Sequence, residues 1–128
     1  RMLFRLSKGR IAGRINGMET FLLTTTGRKS KMPRTVPLLF LEDHGSLVIV
    51  ATNSGGTTNP DWWFNIQSDP LVTVTTRNGE ERMIARAATP DETTTMWPLL
   101  AATNMMYDYY PRVTEREIPL IYLDPIDR

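Results

Sequence analysis

The chain of 128 residues contains no cysteine and a single histidine, His44. Without cysteine there is no disulfide framework and no thiolate metal site. The absence fits a reducing compartment such as the cytosol. His44 falls in the short turn Asp43-His44-Gly45. It offers no well-placed base for a Ser–His or Cys–His nucleophile system and reads as a solvated turn residue. The carboxylates are scattered, with no metal-ligand spacing and no EF-hand loop, so no metal is expected. Neither common glycine-rich phosphate loop is present. No apolar run approaches the length of a bilayer span. A chain that opens on Arg1 is expected to have residues upstream, and nothing present reads as a signal peptide. If such a chain is an enzyme, its hard chemistry is expected to come from a bound cofactor.

What the sequence does have is charge placed unevenly. The net charge is +1. Residues 1–34 nevertheless hold nine Lys/Arg against one acid, Glu19, and residues 35–128 hold six against thirteen acids. A local positive field recruits a local anion: a nucleic acid, an anionic lipid or a small phosphorylated ligand. The basic patch is short and the acidic remainder repels a duplex, so no nucleic-acid partner is expected. The densest cations, Arg28, Lys29, Lys31 and Arg34, form a hook in "GRKSKMPRTVPL" that Pro33 and Pro37 stiffen. Arginine offers a planar fork to phosphate or carboxylate oxygens, and lysine a point charge. The competing reading is a solvated loop that only solubilises.

The length is that of one domain. Residues 2–15 carry Met2, Leu3, Leu6 and Ile11 near helical spacing among arginines and lysines, and predict a basic amphipathic helix within a segment 1–17. Such a helix either packs on the domain as an ordinary surface helix or touches an anionic membrane. Residues 18–128 are expected to form the folded body. Strands are predicted at 18–26, 35–42, 46–52, 71–77, 80–88 and 118–123, with Pro37 marking an edge or a bulge. Asn78-Gly79 is a hairpin signal. Asn59-Pro60 predicts an N-cap and first helical residue for "DWWFNIQS", in which one of the two tryptophans is expected to be buried. Thr89-Pro90-Asp91-Glu92 predicts a capping box opening a helix to about Ala102, kinked or divided at Pro98. Hairpin-linked strands with few helices predict a mainly β (α+β) domain, an antiparallel sheet curled into a small barrel with peripheral helices.

Two further stretches stand out. In "ATNSGGTTNPDWW", a strand ends in small polar residues and glycines before a helix start, where backbone can approach an anionic ligand. The alternative is an ordinary strand-to-helix loop. In "NMMYDYYPR", Tyr107 and Tyr110 share one face of a helical turn and could line a pocket and donate a proton, or form a half-buried aromatic lid without chemistry.

Taken in order, "LLTTTGRKSKMPRTVPLLF", "VIVATNSGGTTNPDWWFNI" with "DPLVTV", and "MWPLL…YDYYPRVTEREIPLIYL" make the chain similar to the deazaflavin-dependent nitroreductase family. This is the class A branch of the coenzyme F420-dependent reductases. The resemblance spans most of residues 21–123 and implies a split β-barrel, FMN-binding-like fold. It implies coenzyme F420, whose deazaflavin ring carries an anionic oligoglutamate tail. Arg28, Lys29 and Arg34 match positions that hold the tail. Pro37, Leu38 and the loop Ala51, Thr52, Asn53, Ser54 and Gly55 match positions along the ring and ribityl chain, with Asn59 and Trp62 beside them. Tyr107 and Tyr110 match tyrosines on the substrate side of the ring. Asn53, Ser54, Asn104 and Leu39 depart from the pattern of nitroreductase members, so the cofactor half matches better than the substrate half.

The resemblance therefore implies a reductase passing a hydride from reduced F420 to quinones or activated enone- and nitro-type acceptors. The alternatives are a non-catalytic F420-binding protein and an FMN-binding split barrel. A monomer or weak dimer is expected, cytoplasmic, with peripheral contact to the inner face of the membrane through the N-terminal helix as a further expectation.

Overall fold

A computed structural model of the protein describes residues 13–15, 18–53, 56–103 and 117–126. Seven strands and two helices follow the order β1 (Gly13–Ile15), β2 (Met18–Thr26), β3 (Pro33–Asp43), β4 (Ser46–Val50), α1 (Asp61–Ser68), β5 (Leu71–Thr76), β6 (Gly79–Ala87), α2 (Pro90–Thr103) and β7 (Leu120–Pro125). All pairings are antiparallel. The sheet runs β1-β2-β3-β4-β7-β6-β5, and β5 returns to β2, closing six strands into a barrel. One edge of β2 is shared: β1 pairs with Met18–Thr20 and β5 with Leu22–Thr24. Closure leaves the six barrel strands few open edges.

The barrel follows from two hydrophobic patterns. In β2 and β5, alternate residues are buried, placing Phe21, Leu23, Val72 and Val74 inside. Phe21 meets Phe40 of β3 edge-on, with ring centroids 5.4 Å apart. In β4 every residue is buried. Leu47 and Ile49 face the interior, while Val48 and Val50 join Leu120 and Tyr122 of β7 in a second cluster with Met96 and Leu100 of α2. The continuous apolar run of β4 is thus a strand covered on both faces. Each fully buried Leu, Ile or Phe contributes about 1.5–3 kcal/mol from burial.

Helix α2 is tied to the sheet by charge. Thr89 and Glu92 form the expected capping box: the Thr89 N–H donates to Glu92 Oε1 at 2.8 Å, and the Glu92 N–H donates to Thr89 Oγ1 at 3.1 Å. Arg86 of β6 donates both terminal nitrogens to Glu92, at 2.7 and 2.9 Å, and its Nε to Asp124 at 2.6 Å. Its guanidinium lies 4.5 Å from the centroid of the Tyr122 ring. The hydrogen bonds from Arg86 hold the Glu92 carboxyl down at about 2. Burial, then the hydrogen bond to Asp43, pushes the Tyr122 phenol up.

The structure corrects several expectations. Residues 13–15, the end of the expected helical segment, are strand β1, because their backbone completes the part of the β2 edge that β5 leaves open. Residues 1–12 lie outside the described part. β3 begins at Pro33, so the second half of the hook is strand. Its stretch from Pro33 to Phe40 pairs with β2 alone and β4 takes up only Leu41–Asp43, so Pro37 occupies an edge and needs no second partner. The N-cap of α1 is Pro60, not Asn59, and no side chain caps it. The β5–β6 turn is Arg77-Asn78, with Gly79 following at φ 124°, in the left-handed range. Helix α2 runs through Pro98 as one element. Pro98 and Thr94 are both exposed, so the carbonyl that Pro98 fails to pair lies on the water side. His44 is an exposed turn residue, as expected.

Candidate functional site

The hook is the loop joining β2 to β3, and its shape is set by its own backbone. The Gly27 N–H donates to the Met32 carbonyl at 2.8 Å, and the Lys31 N–H donates to the Gly27 carbonyl at 2.9 Å. Lys31 takes φ 62°, which an L-residue adopts at some cost. Gly27 sits in a tight place: a Cβ there would stand 2.5 Å from Ser30 Oγ and 3.2 Å from the Met32 carbonyl, so both would have to shift. The Met32 N–H donates to Ser30 Oγ at 3.1 Å.

Helix α1 closes the barrel below this loop. Trp62, Asn65 and Ile66 lie three and four positions apart, share one face, and are buried. Trp62 and Ile66 join the barrel interior. Asn65 meets the polar end of β2, where it donates Nδ2 to Thr25 Oγ1 at 3.0 Å. Its Oδ1 accepts the Arg28 backbone N–H at 3.1 Å and Arg28 Nη1 at 3.2 Å. The Arg28 guanidinium also lies 5.0 Å from the Phe64 ring centroid and 3.6 Å from an Asp61 carboxylate oxygen. A buried amide with every polar atom paired holds its neighbours in one arrangement.

Loop, strand and helix enclose a cavity of about 570 Å³. Its lining includes Thr25, Arg28, Lys29, Ser30, Arg34, Val36, Asp61, Trp62 and Asn65. The volume lies within the range of small-molecule sites. Among the described residues Lys29 and Arg34 make no ion pair, and both are exposed. Three cations on one concavity favour a ligand with several anionic oxygens.

Of the residues expected from sequence, the cavity brings together Arg28, Lys29, Arg34 and Trp62. Trp62 is the buried tryptophan and Trp63 is half-buried, as anticipated. The others are placed elsewhere. Pro37 is exposed on β3, and Leu38 packs half-buried against the interior cluster. Ala51 is fully buried, and its backbone N–H donates to the Pro119 carbonyl at 3.0 Å. Thr52 and Asn59 are half-buried. Asn53 is exposed at φ 49°, donating Nδ2 to the Thr58 carbonyl at 3.0 Å. Ser54, Gly55, Asn104, Tyr107 and Tyr110 lie outside the described residues. Sequence reasoning missed Thr25, Ser30, Asp61 and Asn65. The signal for Asn65 was legible: a polar residue three after Trp62 and one before Ile66, on the apolar face of a short helix.

The fold class is a split β-barrel, six antiparallel strands closed around an apolar interior, with α1 packed into that interior and α2 against the second cluster. A family model for the F420H(2)-dependent quinone reductases matches residues 1–125. An F420H(2)-dependent quinone reductase of Mycobacterium tuberculosis is 30% identical over 125 residues, covering 94% of this chain and 84% of that protein. A solved F420-H2 dependent reductase superposes with a TM-score of 0.74 at 32% identity, covering 82% of this chain and 93% of that one. The heme storage protein HutZ of Vibrio cholerae shares the fold, with a TM-score of 0.62 at 11% identity over 83% of this chain and 80% of that one.

The chain belongs to the F420H(2)-dependent quinone reductase family. It is an oxidoreductase of the type that takes reduced coenzyme F420 as cofactor. Of the readings the sequence offers, these comparisons support the F420-dependent reductase.

Proposed function

We propose that this protein reduces quinones with reduced coenzyme F420, and that Lys29 and Arg34 hold the coenzyme's anionic tail in the cavity between the β2–β3 loop and α1. The observation that carries the site assignment is the pair of unpaired, exposed cations on a concavity of about 570 Å³. The donor set suits the group: an oligoglutamate tail presents repeated carboxylates, and the lining offers a lysine, two arginines and the Ser30 hydroxyl. The coenzyme supplies hydride chemistry when bound. The chain's own share is to bind, to orient and to exclude water.

Arg28 contributes by fixing the loop to α1, which keeps Lys29 and Arg34 on one side of the cavity. Pro37, Leu38, the Ala51–Gly55 loop, Asn59 and Trp62 belong to the same proposal as the ring side of the site. Tyr107 and Tyr110 belong to it as candidates for the proton that follows the hydride. A tyrosine of ordinary pKa is a plausible donor and a poor base at neutral pH. Enone- and nitro-type acceptors, a monomeric or weakly dimeric state, cytoplasmic placement and peripheral membrane contact through residues 1–15 are further parts of the reading. Among the described residues no helix is long and apolar enough to cross a membrane.

The experiment is Arg34→Ala. Arg34 is exposed, so the fold is expected to survive within about 0.5 kcal/mol. Coenzyme affinity is expected to fall while turnover at saturating coenzyme stays close to wild type. Unchanged affinity would overturn the assignment. Tight binding of the coenzyme without reduction of any quinone would favour the non-catalytic alternative.

A further inference from the structure

The cavity contains one group that a site built only to attract anions would not have. Asp61 opens α1, its side chain is 92% exposed, and it lines the same cavity as Arg28, Lys29 and Arg34. Its carboxylate lies 3.6 Å from Arg28 Nη2. Its carbonyl is 3.5 Å from Arg28 Nη1, which also donates to Asn65. With Phe64 against the guanidinium, Arg28 has both terminal nitrogens turned to α1. Asp61 therefore opposes the charge of one cavity cation and leaves Lys29 and Arg34 as the free pair.

We propose that Asp61 is a charge-selecting residue: its carboxylate occupies Arg28 and repels further anionic groups, so that affinity levels off as the ligand's tail gains negative charges. The inference rests on the tail-cavity reading given under Proposed function and assigns that cavity a built-in limit on charge. The physical basis is simple. A carboxylate and a ligand anion sharing a half-solvated cavity repel at short range, and salt screens the repulsion because Asp61 is exposed. The pair with Arg28 is too long and too open to be held for its stability. Its effect falls on whatever anion enters next to it.

The test compares wild type, Asp61→Asn and Asp61→Glu by fluorescence titration. The probes are oxidised F420 with short and with long glutamate tails, and the tail-free deazaflavin riboside. Each titration is run at low and at high salt. Asp61→Asn is expected to tighten binding of tailed coenzyme by about two- to tenfold at low salt. The gain should grow with tail length, disappear at high salt, and be absent for the riboside. Asp61→Glu keeps the charge and is expected to bind as wild type does. Equal or weaker binding by Asp61→Asn, alongside tail-dependent binding by wild type, would overturn the inference and leave the cavity assignment standing. Wild-type binding that is equal for tailed coenzyme and the tail-free riboside and unchanged by salt would overturn both.

Discussion

Asn65 accepts two hydrogen bonds from one residue, Arg28, through the backbone N–H at 3.1 Å and through Nη1 at 3.2 Å. This ties the rim of the cavity to the helix that plugs the barrel. Asn65→Ala would leave Thr25 Oγ1 and the Arg28 N–H without this partner in a buried place. A loss of about 1–3 kcal/mol is expected, measured by urea unfolding. Coenzyme affinity should fall with it, because the loop that carries Lys29 loses its anchor. Asn65→Leu, of similar volume, should not rescue either property.

Gly27→Ala tests the loop by steric means. The added methyl meets Ser30 Oγ and the Met32 carbonyl at 2.5 and 3.2 Å. The variant is expected to lose about 1–3 kcal/mol by thermal or chemical unfolding. Gly27→Ala combined with Ser30→Ala should recover only part of the loss. The hydroxyl is then gone, but the carbonyl contact remains.

The clamp on α2 predicts an acid response. Arg86 holds the Glu92 carboxyl at about 2, well below its ordinary range. A lowered folded-state value means that the contribution is present above the unfolded value and fades as pH falls toward the folded one. Stability should therefore decline between about pH 4.5 and pH 2. In Glu92→Gln this part of the decline should be missing. Unfolding midpoints taken across that range for both proteins check it.

Arg86→Ala should cost more than Glu92→Gln, by about 1–2 kcal/mol. Arg86 also serves Asp124, whose second oxygen accepts from Ser46 at 2.6 Å. Arg86→Lys should restore little, since an ammonium cannot serve Glu92 and Asp124 with the same fork geometry. Denaturant midpoints for the three variants decide the order.

The sequence spoke most clearly where a local rule and the tertiary fold agree. The strand at 18–26, the capping box at Thr89 and Glu92 and the hairpin signalled by Asn78-Gly79 are local, and all three formed, the hairpin with Arg77-Asn78 as its turn. The closure of the barrel is a pairing of Leu22–Thr24 with Thr73–Thr75, about fifty residues away, and no local pattern encodes it. β3 starts two residues before the expected 35 because Pro33 and Arg34 look like loop residues until β2 supplies a partner. Lys29 and Arg34 were legible as charges. Their neighbours were not: Thr25, Asp61 and Asn65 become site residues only when α1 docks against the end of β2.

The central claim is that the basic concavity binds the anionic tail of coenzyme F420. It is tested most directly by competition titration of the purified protein with oxidised F420 and FMN under rising salt, beside the double variant Lys29→Ala/Arg34→Ala. The account predicts preference for F420, affinity that falls steeply with salt, and a double variant that binds weakly with a flattened salt dependence. Preference for FMN, or F420 binding that neither salt nor the double variant alters, would contradict it.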